Sequence, residues 1–170
     1  VDSAKLKASM VGRSKAMRNY MKSIMSDECP WCVVSASTVG WAKRLYPELN
    51  DEEAYLKLWD QILSACRSTG DDPVAEWEEH IKVLDEKAKF LHENELVKLH
   101  ITNDLGTDLY VGLPKNHIWQ SAGSYAKKAD RFVANIPTEE VFTMPHKDET
   151  SGIVYNAKPL NYSGVLIDNF

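Results

Sequence analysis

Long apolar runs, paired cysteines and an excess of positive charge are all missing from this sequence, and each absence narrows what it can be. No stretch approaches the about 20 apolar residues that cross a bilayer as a helix, and the opening VDSAKLKASM lacks the apolar centre of a secretory signal. The cysteines number three, odd and too few for a disulfide scaffold, which fits a reducing compartment and makes the cytoplasm the expected location. A formal net charge of -5 argues against a phosphate-binding surface, the longest basic block lying within Lys5 to Lys22. Neither nucleic acid nor a membrane is an expected partner. Also missing are a G-x-S-x-G nucleophile elbow, a G-x-x-x-x-G-K-[ST] phosphate loop and an H-E-x-x-H zinc helix.

What is present is ordinary for a globular chain of one domain or parts of two: 170 residues, 44% hydrophobic and 26% charged. Ala4 to Met25 has a patchy helical face of Leu6, Met10, Met17, Tyr20, Met21 and Ile24, and Pro30 to Ser37 reads as a buried strand followed by a short helix to Tyr46. Asn50 with Glu53 three residues on is close to a capping box, ahead of Ala54, Leu58, Ile62, Ala65 and Cys66 at helical spacing. Asp72 and Pro73 start a longer helix, with Val74, Trp77, Ile81, Leu84, Ala88 and Leu91 in steps of three and four.

After Asn94 the period changes to two. Val97, Leu99 and Ile101, then Leu109, Val111 and Leu113, flank the turn NDLGTD, in which Gly106 supplies positive φ and Asp108 bonds its local backbone. Strand-like pieces follow at Ile118 to Gln120, Glu140 to Thr143, Gly152 to Ala157 and Val165 to Phe170. The expected class is α+β, an α/β N-terminal part with long helices over residues 1–94, then a mainly antiparallel β part over 95–170. Val1 in place of Met, and a last stretch GVLIDNF that stops inside a strand-like run, suggest a piece of a longer protein.

Several groups carry potential chemistry. Cys29-Pro30-Trp31-Cys32 has redox spacing, but a helix precedes it and a strand follows, the reverse of a thioredoxin-like order, and chance spacing is the plainer reading. Of the five histidines, His80 and His92 fall off the apolar stripe of their helix and His100 on the polar face of its strand, so all three read as solvated. His146 also reads as a surface residue, though it follows NIPTEEVFTMP closely enough to approach whatever that stretch binds. Trp119 and Phe142 are core residues or line a cavity.

The stretch from Asn135 to Pro145, NIPTEEVFTMP, sets two adjacent carboxylates into a strand-like run. On a strand Glu139 and Glu140 point to opposite faces and cannot work as a facing acid–base pair. Two readings stay open: one of them is a metal ligand, a hard oxygen donor on a backbone stiffened by Pro137 and Pro145, or one is exposed and the other sits in a salt bridge.

The motif Asn135-x-Pro137-Thr138-Glu139-Glu140-Val141-Phe142-Thr143-x-Pro145-His146 resembles the signature of the aminopeptidase T, aminopeptidase S and PepS family of dinuclear-metal aminopeptidases. Gly40-Trp41-Ala42-Lys43, Asp72-Pro73-Val74 with Trp77-Glu78, Gly106-Thr107-Asp108-Leu109 with Val111-Gly112-Leu113, and His117-x-Trp119-Gln120 agree in the same order, so the resemblance runs from near Arg13 to Phe170. It implies release of N-terminal residues from peptide substrates by water activated between two divalent ions, zinc or cobalt, in a homodimeric enzyme. It implies that the second glutamate of P-T-E-E, Glu140, is a metal ligand, a role Glu139 does not inherit. The family's further ligands, a Glu, two His and an Asp, two of them in a His-x-Asp pair, lie downstream of the motif and have no counterpart before Phe170. On this resemblance residues 1–94 are the C-terminal part of an N-terminal α/β domain and 95–170 the start of a β-rich metal-binding domain. The 170-residue chain alone is then expected to be inactive and to hold no metal stably. The alternatives are a non-catalytic scaffold or interaction protein that keeps the fold, and, behind it, a thiol oxidoreductase using Cys29 and Cys32.

Overall fold

In the computed structural model, which describes residues 2–127, 131–158, 160–162 and 165–167, the helices other than Arg18–Met25 begin where the sequence supplies caps. Asp2 Oδ1 accepts from the Ala4 amide at 2.9 Å and opens α1 (Ser3–Ala16), and a break at Met17 separates it from α2 (Arg18–Met25). Thr38 Oγ1 accepts from the Trp41 amide at the start of α3 (Val39–Leu45). The Asn50–Glu53 capping box is complete: Asn50 Oδ1 accepts from the Glu53 amide at 2.9 Å, and Glu53 Oε2 from the Asn50 amide at 3.3 Å. It opens α4 (Asp51–Ala65). Asp72 Oδ1 accepts from the Ala75 amide at 3.0 Å to begin α5 (Pro73–Glu93).

The helical repeat of α4 becomes a core. Ala54, Leu58, Ile62 and Cys66 bury against Ala42 of α3, with Tyr46, Leu49, Trp59 and Ile136 packed around them. On α5, Leu84 and Ala88 are buried, whereas Val74 at the start of the same stripe is exposed.

Two compact units share the chain, one of residues Val1–Asp85 with Ser121–Glu140, the other of Glu86–Gln120 with Val141–Phe170. These units differ from a single division between residues 94 and 95. The reason is a return excursion: after the hairpin, the segment 121–140 packs against residues of the first unit. Its grip is explicit at Asp85 of α5, whose carboxylate accepts hydrogen bonds from the two terminal guanidinium nitrogens of Arg131 at 2.7 and 2.8 Å and from the Ser121 hydroxyl. The same segment supplies an antiparallel pair, β4 (Gly123–Tyr125) with β5 (Arg131–Val133). It also supplies β6 (Asn135–Ile136), which pairs in parallel with β1 (Val33–Val34).

β1 is shorter and more open than the buried strand expected over Pro30 to Ser37: it holds two residues, and Val33 and Val34 are 58% and 57% exposed. A parallel pair is ordinarily covered on both faces. Here β6 is its single strand partner among the described residues, so the other edge of β1 has no strand beside it there.

The second unit carries the period-two sequence as expected. β2 (Lys98–Thr102) and β3 (Asp108–Gly112) form an antiparallel hairpin with Leu99 opposite Val111, extended by β7 (Thr150–Ile153) on β3. β8 (Leu160–Tyr162) pairs with β9 (Val165–Ile167), so the strand expected over Val165 to Phe170 is seen to Ile167, and its last three residues lie outside the described set. Gly106 does take φ 100 in the turn. The local backbone there is bonded by Asn103, whose Oδ1 accepts from Leu105 and Thr107, and not by Asp108. Asp108 instead accepts from His100 Nε2 at 2.7 Å, with the His100 ring stacked on Tyr110. Helices with one parallel and one antiparallel pair in the first unit, and antiparallel sheets in the second, make the chain α+β.

The Arg131 guanidinium holds the Asp85 carboxyl below its ordinary pKa; Ser121 adds to the effect and partial burial opposes it. A lowered acid stabilises the fold above its unfolded pKa and loses that contribution as pH falls through the folded value. Both partners are partly exposed, at 28% for Arg131 and 42% for Asp85, so replacing Asp85 with alanine should cost about 1–2 kcal/mol at neutral pH. Urea unfolding at stepped pH checks it: the gap between wild type and variant should close below about pH 4. A gap unchanged at pH 3 would contradict the assignment.

Candidate functional site

The carboxylates of NIPTEEVFTMP do not lie on a strand. β6 ends at Ile136, and the next ladder contact is an isolated bridge in which Phe142 and Gln120 exchange backbone hydrogen bonds at 2.8 and 2.9 Å. Residues 137–141 run between as irregular backbone. Pairing resumes at the aromatic residue, which favours a sheet, and skips the two acids, which do not. The opposite-face rule therefore does not govern Glu139 and Glu140.

Their partners separate them instead. The segment is gripped from the C-terminal end of α4 and the first turns of α5, all within the first unit. Cys66 Sγ lies 3.7 Å from the Ile136 carbonyl oxygen, and His80 Nε2 donates to the Thr138 carbonyl at 2.8 Å, which puts that ring proton on Nε2. Arg67 Nη2 donates to Glu139 Oε1 at 2.5 Å, with His80 Nε2 3.6 Å from the other carboxylate oxygen. Thr138 is buried, and Trp77 braces the arrangement by donating its indole N–H to the Cys66 carbonyl at 2.8 Å and meeting the His80 ring edge-on.

Glu140 is exposed and has no hydrogen-bond or ion-pair partner among the described residues. Glu139 is thus the salt-bridged acid and Glu140 the free one. Sequence reasoning missed the first of these partners: His80 was expected in solvent, yet its side chain is only 11% exposed. Counting the apolar stripe of α5 placed it off the core, but what covers it is a segment some sixty residues later, to which periodicity is blind. Its spacing from Trp77, one helical turn away, was the available signal.

The remaining candidates are scattered. His92 and His100 are exposed, as expected. His146 lies in the second unit, half-buried, its amide donating to the Gly112 carbonyl at 2.7 Å and its Nδ1 accepting from the Asp148 amide at 3.3 Å. Phe142 lines an open cleft of about 450 Å³ in that unit with His117, Ile118, Gln120 and Met144. Trp119 is half-buried, and its indole N–H has no partner among the described residues. Cys29 and Cys32 are both free thiols, and no helix starts at them, since α3 begins at Val39. Burial and the neighbouring Cys66 push the Cys32 thiol up, the opposite of what a reactive cysteine needs.

A metal site needs several donors, and among the described residues no group of three or more His, Cys, Asp and Glu side chains is placed to hold an ion. Glu140 offers what a single ligand position requires: an accessible carboxylate, with no cationic side chain beside it among the described residues, on backbone fixed immediately before it.

This α+β fold is shared with a solved chain. Wild-type AmpT from Thermus thermophilus superposes with a TM-score of 0.75 at 35% identity, over 93% of this chain and 39% of that one. The chain belongs to the thermophilic metalloprotease (M29) family, whose model matches residues 1–170. Aminopeptidase AmpS of Bacillus subtilis (strain 168) is 42% identical over 170 residues, all of this chain and 41% of its own length. Aminopeptidase PepS of Streptococcus thermophilus is 43% identical over 154 residues, 90% of this chain and 37% of its own. The chain therefore spans about two-fifths of the relatives it matches. No helix among the described residues is long and apolar enough to cross a membrane.

Proposed function

We propose that this chain is a segment of a longer metal-dependent aminopeptidase, in which Glu140 is one ligand of a pair of divalent ions, zinc or cobalt, and peptides are the substrates. The observation that carries the reading is the contrast between adjacent acids: Glu139 is neutralised by Arg67, whereas Glu140 is left accessible on a fixed backbone. An acid kept free of internal partners suits a cation supplied from outside. Membership of a metalloprotease family and relatives named as aminopeptidases support the same reaction class. Bound ions would supply an activated water and polarise the scissile carbonyl. The part played by residues of this chain is narrower: Glu140 presents a hard oxygen donor, and Arg67, His80 and Cys66 fix the backbone that carries it.

In this reading residues 1–94 belong to an N-terminal domain and residues 95–170, which include Glu140, begin the metal-binding domain, with the other ligands outside this sequence. The uncovered valines of β1 support a larger fold around the first unit. A cytosolic, homodimeric parent is part of the same proposal; free cysteines favour a reducing compartment, and the dimer rests on the family resemblance.

One ligand cannot hold two ions, so the 170-residue chain by itself should release no product from amino-acid p-nitroanilides, with or without added zinc or cobalt. The full-length protein should hydrolyse them and stop on addition of a chelator. Chelator-sensitive turnover by the isolated chain would contradict the proposal.

A further inference from the structure

Three of the four residues ahead of Glu140 are held by side chains of the first unit. Side chains of Cys66, His80 and Arg67 reach, in order, the Ile136 carbonyl, the Thr138 carbonyl and the Glu139 carboxylate. The Arg67–Glu139 pair is poor material for stability, being 40% and 61% exposed, and such pairs contribute little to folding. Its geometry is nevertheless specific. Arg67 follows the C-cap of α4 in a left-handed conformation, φ 54, a position that ordinarily takes glycine or asparagine. Holding an arginine there is unfavourable for the backbone, and it aims the guanidinium at Glu139. The Arg67 Nε–H is buried without a partner among the described residues, a further cost tolerated at this point.

His80 adds a second constraint from another helix. Its Nε2–H donates to the Thr138 carbonyl with the ring standing edge-on to Trp77, and Trp77 is tied in turn to the Cys66 carbonyl beside Arg67. The C-terminal end of α4 and the first turns of α5 thus form one clamp closing on Ile136, Thr138 and Glu139, and the residue leaving the clamp is Glu140.

We propose that Arg67 and His80 are positioning residues for Glu140: through Glu139 and the Thr138 carbonyl they fix where its carboxylate meets the metal. This rests on the reading of Glu140 as a ligand. Side chains that orient a metal ligand without touching the ion are worth 10- to 100-fold in affinity by general experience, so the effect should be measurable on metal binding itself.

The test titrates cobalt(II) into the full-length apo-protein, following visible absorption, alongside thermal unfolding of each apo variant. Arg67→Ala and His80→Leu should each weaken the apparent Kd by about 10- to 100-fold. His80→Gln keeps a side-chain N–H donor and should return the Kd close to wild type. A purely structural role would lower the unfolding midpoint and leave the Kd of the folded apo-protein where it was. Should Arg67→Ala fail to fold, Arg67→Lys serves: it keeps the charge without the forked geometry, and its Kd should still be weaker than wild type. Wild-type Kd values in the folded Arg67 and His80 variants, with binding lost in Glu140→Ala, would overturn the clamp and leave the ligand assignment standing. Wild-type binding in Glu140→Ala would overturn both. Equal weakening by His80→Gln and His80→Leu would remove His80 from the proposal.

Discussion

Glu140→Ala in the full-length protein is expected to lower kcat/KM on an amino-acid p-nitroanilide by about 100-fold or more, since deleting a ligand should cost at least as much as disturbing its support. The neighbouring substitution Glu139→Ala makes the comparison sharp. On the proposed reading Glu139 is the residue through which Arg67 acts and does not itself touch the ion, so its loss should be smaller and partly restored by excess metal. Two acids side by side, both exposed, should thus differ because one is already paired within the chain. Equal losses at both positions would argue against assigning the ligand to Glu140 alone.

The second large effect is on stability. Leu58 is 3% exposed in the cluster with Ala42, Ala54, Ile62 and Cys66, and Leu58→Ala should cost about 2–5 kcal/mol through lost transfer energy and the cavity left behind. Leu56, two residues earlier on the same helix, is 57% exposed, and its alanine variant should stay within about 0.5 kcal/mol of wild type. Urea unfolding of the three proteins measures both. Comparable losses at the two positions would mean that the α3–α4 core is not packed as described.

The elements most legible in the sequence were those decided locally. The Asn50–Glu53 box, the Asp72-Pro73 start and the alternation around Gly106 each place their determinants within a few residues, and each appears where expected. What could not be read depends on distant partners. Val33 and Val34 look like buried strand residues because they are β-branched and apolar, yet burial is a property of what packs outside them. Arg131 gives no hint in the sequence that it will reach back to Asp85 and draw 121–140 into the first unit. The candidate site divides the same way. Its motif marked Glu140, but the clamp of Cys66, Arg67 and His80 comes from two helices joined by a short turn, and nothing in their spacing points to a loop so far along the chain.

The most direct test is the metal content of the full-length protein, counted per chain after purification and dialysis, for wild type, Glu139→Ala and Glu140→Ala. Two divalent ions in wild type, a clear loss in Glu140→Ala and a smaller loss in Glu139→Ala is the predicted pattern. Full occupancy in Glu140→Ala, with turnover unchanged, would contradict the assignment of this segment to the metal site.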